Sequence, residues 1–96
     1  MNWEQVKKHK LTVYSTVWCS DCRRFKQRLQ EAGVDYDEVD IEEQPEAGQK
    51  LKRQTGRSAI PYLEIDGAQW VRGWHDEAPG KWDEKIFFQE FQEAVV

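Results

Sequence analysis

Cys19 and Cys22 are the only two thiols in the chain, and their spacing could support chemistry. They stand in Val17-Trp18-Cys19-Ser20-Asp21-Cys22-Arg23-Arg24, between a short β-patterned run and a charged, helix-patterned one. At a helix start, residues three apart face the same side with Cα atoms roughly 5 to 6 Å apart, within disulfide reach without backbone movement. Such a pair can open and close a bond in place. The thiolate is the nucleophile, and the unpaired N–H groups and positive dipole end of a helix N-terminus stabilise it better than a site one turn further in. Cys19 is therefore the expected attacking sulfur, and Cys22 the one that resolves the mixed disulfide. Ser20 is able to donate a hydrogen bond to that thiolate. Asp21 suits the dipole but opposes a second negative charge, which Arg23 and Arg24 partly offset.

Two other uses of the pair are open on the residues alone. A structural zinc site needs four ligands, and His9 and His75 are the only further candidates, not spaced as a second ligand pair. A static disulfide is the other, although so short a loop confers little entropic stabilisation. A bridge between near neighbours suits switching better than stapling.

The rest of the chain has to position these cysteines. Its 96 residues suffice for one domain, 1–96, with a single modest core. With 33% charged residues and a net charge of −4, the chain carries no signal for nucleic acid or an anionic membrane as partner. No apolar run approaches the roughly 18 residues that span a bilayer, and Lys7, Lys8 and Lys10 precede no signal-peptide core. A cytoplasmic location is expected, where Cys-x-x-Cys is more often catalytic than architectural. The five tryptophans, Trp3, Trp18, Trp70, Trp74 and Trp82, predict a working surface, since indoles are seldom fully buried.

In chain order, residues 1–10 are polar, with Asn2 able to cap a short extra helix. Leu11-Thr12-Val13-Tyr14 reads as a first strand leading into the cysteine loop. Cys22, Phe25, Leu29 and Ala32 recur at helical spacing, and Gly33 ends that helix. Residues 35–41 suit a second strand, completing a right-handed βαβ unit with parallel strands. Residues 42–55, with Pro45 near the start and Gly56 past the end, predict a second helix. Ile60-Pro61 opens a strand at 62–65, Asp66-Gly67 predicts a two-residue hairpin, and 68–72 pairs back antiparallel. After Pro79-Gly80, residues 81–94 carry Trp82, Ile86, Phe87, Phe88 and Phe91 as a closing amphipathic helix.

This β-α-β-α-β-β-α order, with Cys-x-x-Cys at the first helix, resembles the thioredoxin fold in its minimal, glutaredoxin-sized form over about residues 11–95. The motifs that carry the likeness are Tyr14 to Cys22, Val39-Asp40-Ile41, Thr55 to Tyr62, Ile65-Asp66-Gly67 and Gly73-Trp74-His75-Asp76. The resemblance implies an α/β fold, a central four-stranded mixed sheet flanked by three helices, in a monomer. It implies a cis Pro61 against the cysteines, leaving the Ile60 backbone free to bind an extended substrate. Trp18 and Trp74 would flank Cys19, with Tyr62 further along the groove, and Asp76 would cap the last helix or bind an amine. Thr16 stands where common glutaredoxins have lysine, Ala59 where they have threonine, and Trp74 where they have a second glycine. These departures argue against tight glutathione binding.

Gly73-Trp74-His75 is more similar to the glutaredoxin-like electron donors of ribonucleotide reductase, which take electrons from thioredoxin reductase. Mycoredoxins are a further relative. The implied activity is thiol–disulfide exchange on protein disulfides or mixed disulfides, with no permanently bound cofactor. Electrons would come from thioredoxin reductase and NADPH or from a low-molecular-weight thiol such as glutathione. Alternatives are glutathione-dependent monothiol deglutathionylation through Cys19 alone and an iron–sulfur carrier using Cys19 of two subunits.

Overall fold

The computed structural model describes residues 1–73 and 82–96. Its elements run α1 (Trp3–Val6), β1 (Leu11–Ser15), α2 (Ser20–Glu31), β2 (Asp37–Asp40), α3 (Pro45–Thr55), β3 (Tyr62–Ile65), β4 (Gln69–Arg72) and α4 (Glu84–Val95). The sheet order is β2-β1-β3-β4, with β1 parallel to β2 and the other neighbours antiparallel. This is the mixed four-stranded sheet of the minimal thioredoxin fold, flanked by the three helices the resemblance implies, and residues 1–10 supply the short extra helix that Asn2 can cap. No helix among the described residues is long and apolar enough to cross a membrane.

Strand pleating sends alternate side chains to opposite faces of the sheet. Leu11, Val13, Leu63, Ile65 and Val71 meet Phe25 and Leu29 of α2 and Phe87 and Phe91 of α4 in the main core. Tyr14 and Tyr62, on the other face, meet Leu51 of α3, with Ala47, Ile60 and Trp70 around them. Glu64 shares this second face and is buried, its carboxylate 2.9 Å from Lys50 Nζ and accepting from Tyr14 Oη at 3.1 Å. Burial, and then the neighbouring Glu64 charge, hold the Tyr14 phenol above its usual range. The hydrogen bond to Glu64 raises Lys50.

The extra helix has local and distant causes. Asn2 accepts from Gln5 N at 3.0 Å while Gln5 Oε1 accepts from Asn2 N at 2.9 Å, a reciprocal cap. Val6 is fully buried in the main core, and Trp3 Nε1 donates to Glu84 at 2.6 Å. So short a helix does not persist without such packing.

Several boundaries differ from the pattern reading. The second strand is shorter, residues 37–40. The next helix begins at Pro45 rather than 42, because proline suits the first helical position and disfavours helical backbone in the residue before it. Residues 41–43 form a turn in which Asp40 accepts from Glu42 N at 2.8 Å. The last helix begins at Glu84, since Asp83 caps it by accepting from the N–H groups of Lys85 and Ile86. Ile65 opposes Gln69, so three residues lie in the hairpin rather than two. Asp66 N still donates to Lys10 O at 2.8 Å, which extends the β1–β3 ladder by one step and leaves the turn to take an added residue.

Asp66 also tethers the N-terminal segment, its carboxylate meeting His9 Nδ1 at 2.7 Å and Lys10 N at 2.8 Å. The His9 hydrogen bond and then that of Lys10 hold the Asp66 carboxyl below the usual range. A carboxyl lowered by folding stabilises the chain above its unfolded pKa and loses that contribution as pH falls through the folded value. Stability should therefore drop on acidification below about pH 4. Because the pair is substantially solvent-screened, Asp66→Asn should cost no more than about 1 kcal/mol at neutral pH and blunt the acid loss. Urea unfolding of both proteins at neutral and acidic pH checks this.

Candidate active site

The β1 strand delivers the chain into a loop over residues 16–18, and Cys19 caps α2 with extended backbone, φ −83° and ψ 110°. Its sulfur accepts a hydrogen bond from Cys22 N at 3.1 Å. One of the orphan amides of the helix start is thus aimed at the sulfur expected to carry negative charge. Cys19 and Cys22 lie at disulfide distance, their Cα atoms 5.2 Å apart. Cys19 retains 8% of its accessible surface and Cys22 none. What accessible surface the pair has belongs to Cys19.

The loop before Cys19 presents Val17 and Trp18, 73% and 63% exposed. Arg23 Nη1 donates to Val17 O at 3.0 Å, and Trp18 Nε1 donates to Glu42. Arg23 therefore braces the loop as well as offsetting charge. Arg24 pairs with Asp21 at 2.8 Å, neutralising the carboxylate nearest the cysteines. Thr16 is buried, and its hydroxyl has no hydrogen-bond partner among the described residues.

The Ile60–Pro61 peptide bond is cis, as the resemblance implies. Tyr14 opposes Tyr62, and the register continued one step sets Pro61 beside Ser15 at the base of the cysteine loop. Pro61 is buried, and its carbonyl accepts from Gly73 N at 3.0 Å. Ile60 is half-buried, and its backbone pairs with no other backbone group among the described residues.

Tyr62 does not extend the groove. It is buried in the second core with its ring centroid 6.1 Å from that of Trp70. Inward pleating at this strand position decides it. Trp74, His75 and Asp76 lie outside the described residues. Trp3, Trp70 and Trp82 are half-buried, which leaves Trp18 as the exposed indole among the described residues.

Two residues escaped the pattern reading. Gly73 lies against Phe25 of α2, so that a Cβ there would come within 2.8 Å of the ring. Trp82, assigned by periodicity to the closing helix, precedes it and donates from Nε1 to Gly73 O at 2.9 Å. Gly73 was visible as a glycine after a strand, a signal of close backbone approach. Nothing local marked Trp82.

The family model described as Glutaredoxin matches residues 11–70. A glutaredoxin of Pseudomonas aeruginosa is 38% identical over 77 residues, 76% of this chain and 90% of that protein. The glutaredoxin-like protein NrdH of Lactococcus lactis is 39% identical over 56 residues, 58% of this chain and 76% of the relative. Among solved structures, the holo form of glutaredoxin C1 from Populus tremula x tremuloides superposes with a TM-score of 0.56 at 30% identity, covering 70% of this chain and 69% of that one. With a cysteine pair at bonding distance on a helix tip and a cis-proline loop beside it, the chain belongs to the glutaredoxin family of the thioredoxin superfamily.

Proposed function

We propose that the protein is a dithiol thiol–disulfide oxidoreductase that reduces protein disulfides or mixed disulfides with small thiols. The observation that carries this reading is the asymmetry of the pair, Cys19 keeping a small accessible surface under a helix-start amide and Cys22 wholly buried. Reduced Cys19 attacks one sulfur of the substrate disulfide as a thiolate, forming a mixed disulfide and expelling the other substrate sulfur, which takes up a proton. Cys22 loses its proton, attacks Cys19 Sγ and expels the second substrate thiol, closing the Cys19–Cys22 bond. The substrate gains two electrons and two protons, and the pair is oxidised. Ile60 and Pro61 align the substrate backbone and Trp18 supplies an apolar contact beside Cys19, while Trp74 and Asp76, which the resemblance adds as substrate-binding residues, lie outside the described residues.

Two electrons from a reductant reopen the pair. Where common glutaredoxins place lysine and threonine to hold glutathione, Thr16 carries no cation and Ala59 no hydroxyl, which supports thioredoxin reductase with NADPH over glutathione as the donor. The protein then acts as a cytoplasmic, single-domain monomer.

Re-reduction of the oxidised protein should be faster with thioredoxin reductase and NADPH than with glutathione, as followed by NADPH consumption and thiol titration. At neutral pH Cys19 of the reduced protein should alkylate about tenfold faster than an ordinary free thiol. Equal rates would overturn the assignment of Cys19 as nucleophile.

A further inference from the structure

The residues that hold the Pro61 loop reach back to the N-terminal segment, outside the stretch matched by the family model. Gly73 N donates to Pro61 O at 3.0 Å, and Gly73 O accepts from Trp82 Nε1 at 2.9 Å. Gly73 has no room to retreat towards α2, because the buried Phe25 ring occupies the space beside it. The Trp82 indole is itself gripped from several elements. Trp3 of α1 stacks on it at 6.0 Å with the planes 15° apart, Phe87 of α4 lies at 5.5 Å, and the Arg28 guanidinium of α2 sits 5.2 Å over the ring. Glu84 closes the assembly, accepting from Trp3 Nε1 at 2.6 Å with Arg28 Nη2 3.8 Å away. The helix that carries the cysteines and the N-terminal helix thus hold one indole between them. The single polar atom of that indole anchors the strand end that supports Pro61.

We propose that Trp82 is a positioning residue for disulfide exchange: held by Trp3 and Arg28, it fixes Gly73 and through it the depth of the Ile60–Pro61 loop against which an extended polypeptide substrate aligns. The inference rests on the oxidoreductase reading above. A ring that merely filled space would be replaceable by phenylalanine, whereas a positioning role needs the indole N–H.

Trp82→Phe keeps an aromatic ring against Trp3 and Phe87 and removes the donor. With dithiothreitol as reductant, its KM for a disulfide-containing polypeptide should rise about fivefold with kcat unchanged, since backbone alignment is lost while the thiols are untouched. Turnover of hydroxyethyl disulfide, which has no backbone to align, should stay at the wild-type level. Hydrogen exchange of the Gly73 amide should quicken about tenfold. Trp3→Phe, which leaves the Trp82 donor but removes the bond to Glu84, should give smaller changes in the same direction and serves as the readout if Trp82→Phe does not fold. Unchanged KM and unchanged Gly73 exchange in a folded variant would overturn the proposal, as would equal losses on both substrates. If the wild-type protein turns over neither disulfide, the oxidoreductase reading fails, and the Gly73 amide still decides whether Trp82 sets the loop.

Discussion

Cys19→Ser is expected to abolish disulfide reduction, a loss of at least about a thousandfold, while Cys22→Ser permits the first exchange and blocks the second. The difference follows from burial. Cys19 holds what accessible surface the pair has, and its hydrogen bond from Cys22 N belongs to the backbone, so it survives the Cys22→Ser change. Cys22 is fully enclosed and able to attack only its neighbour across a Cα separation of 5.2 Å. The Cys22→Ser protein should therefore accumulate as a mixed disulfide with a protein substrate, visible by mass spectrometry, with turnover of that substrate depressed about a hundredfold. A glutathionylated peptide assayed in parallel separates the routes. Persistence of deglutathionylation in Cys22→Ser would favour the monothiol alternative, and its loss the dithiol cycle.

The second large effect is on stability. Gly73→Ala would place a methyl group within 2.8 to 3.0 Å of three carbons of the Phe25 ring. That ring is fully buried and packs edge-on against Phe87 at 5.6 Å, so it has no free direction in which to move. Overpacking of this kind costs about 2 kcal/mol. The substituted chain should show a correspondingly lower urea midpoint with little change in slope. Phe25→Leu introduced into the same protein should recover part of the loss, because it empties the space the methyl group needs. A Gly73→Ala midpoint equal to that of the parent would refute the close packing. Since Gly73 N also donates to Pro61 O, what folded protein remains should bind polypeptide disulfides less well.

These two effects differ in how visible they were beforehand. The cysteine pair and the helix that carries it were legible because they depend on neighbours within a turn or two. Cys22, Phe25 and Leu29 recur at helical spacing and are all buried on one stripe. Pro45 and Gly56 punctuate α3, with Gly56 at φ +76°, and Asp66 and Gly67 take positive φ at the hairpin. Such signals act through local backbone sterics and hydrogen bonds, which a linear reading captures.

What the linear chain settled was thus the sequence of elements, the placement of a cysteine pair at a helix tip and the broad class of thiol–disulfide chemistry available to it. Tertiary structure decided the rest. It turned Tyr62 inward against Trp70, drew Trp82 out of the helical pattern onto Gly73, and made residues 3–6 helical by seating Val6 in the core and Trp3 on Glu84, 81 positions away. Each of those outcomes is a contact between different elements, nine positions apart for Trp82 and Gly73 and 81 for Trp3 and Glu84. Its free energy exists only once the fold has brought both partners together, so the local pattern, even where Asn2 offered a cap for residues 3–6, left the outcome open.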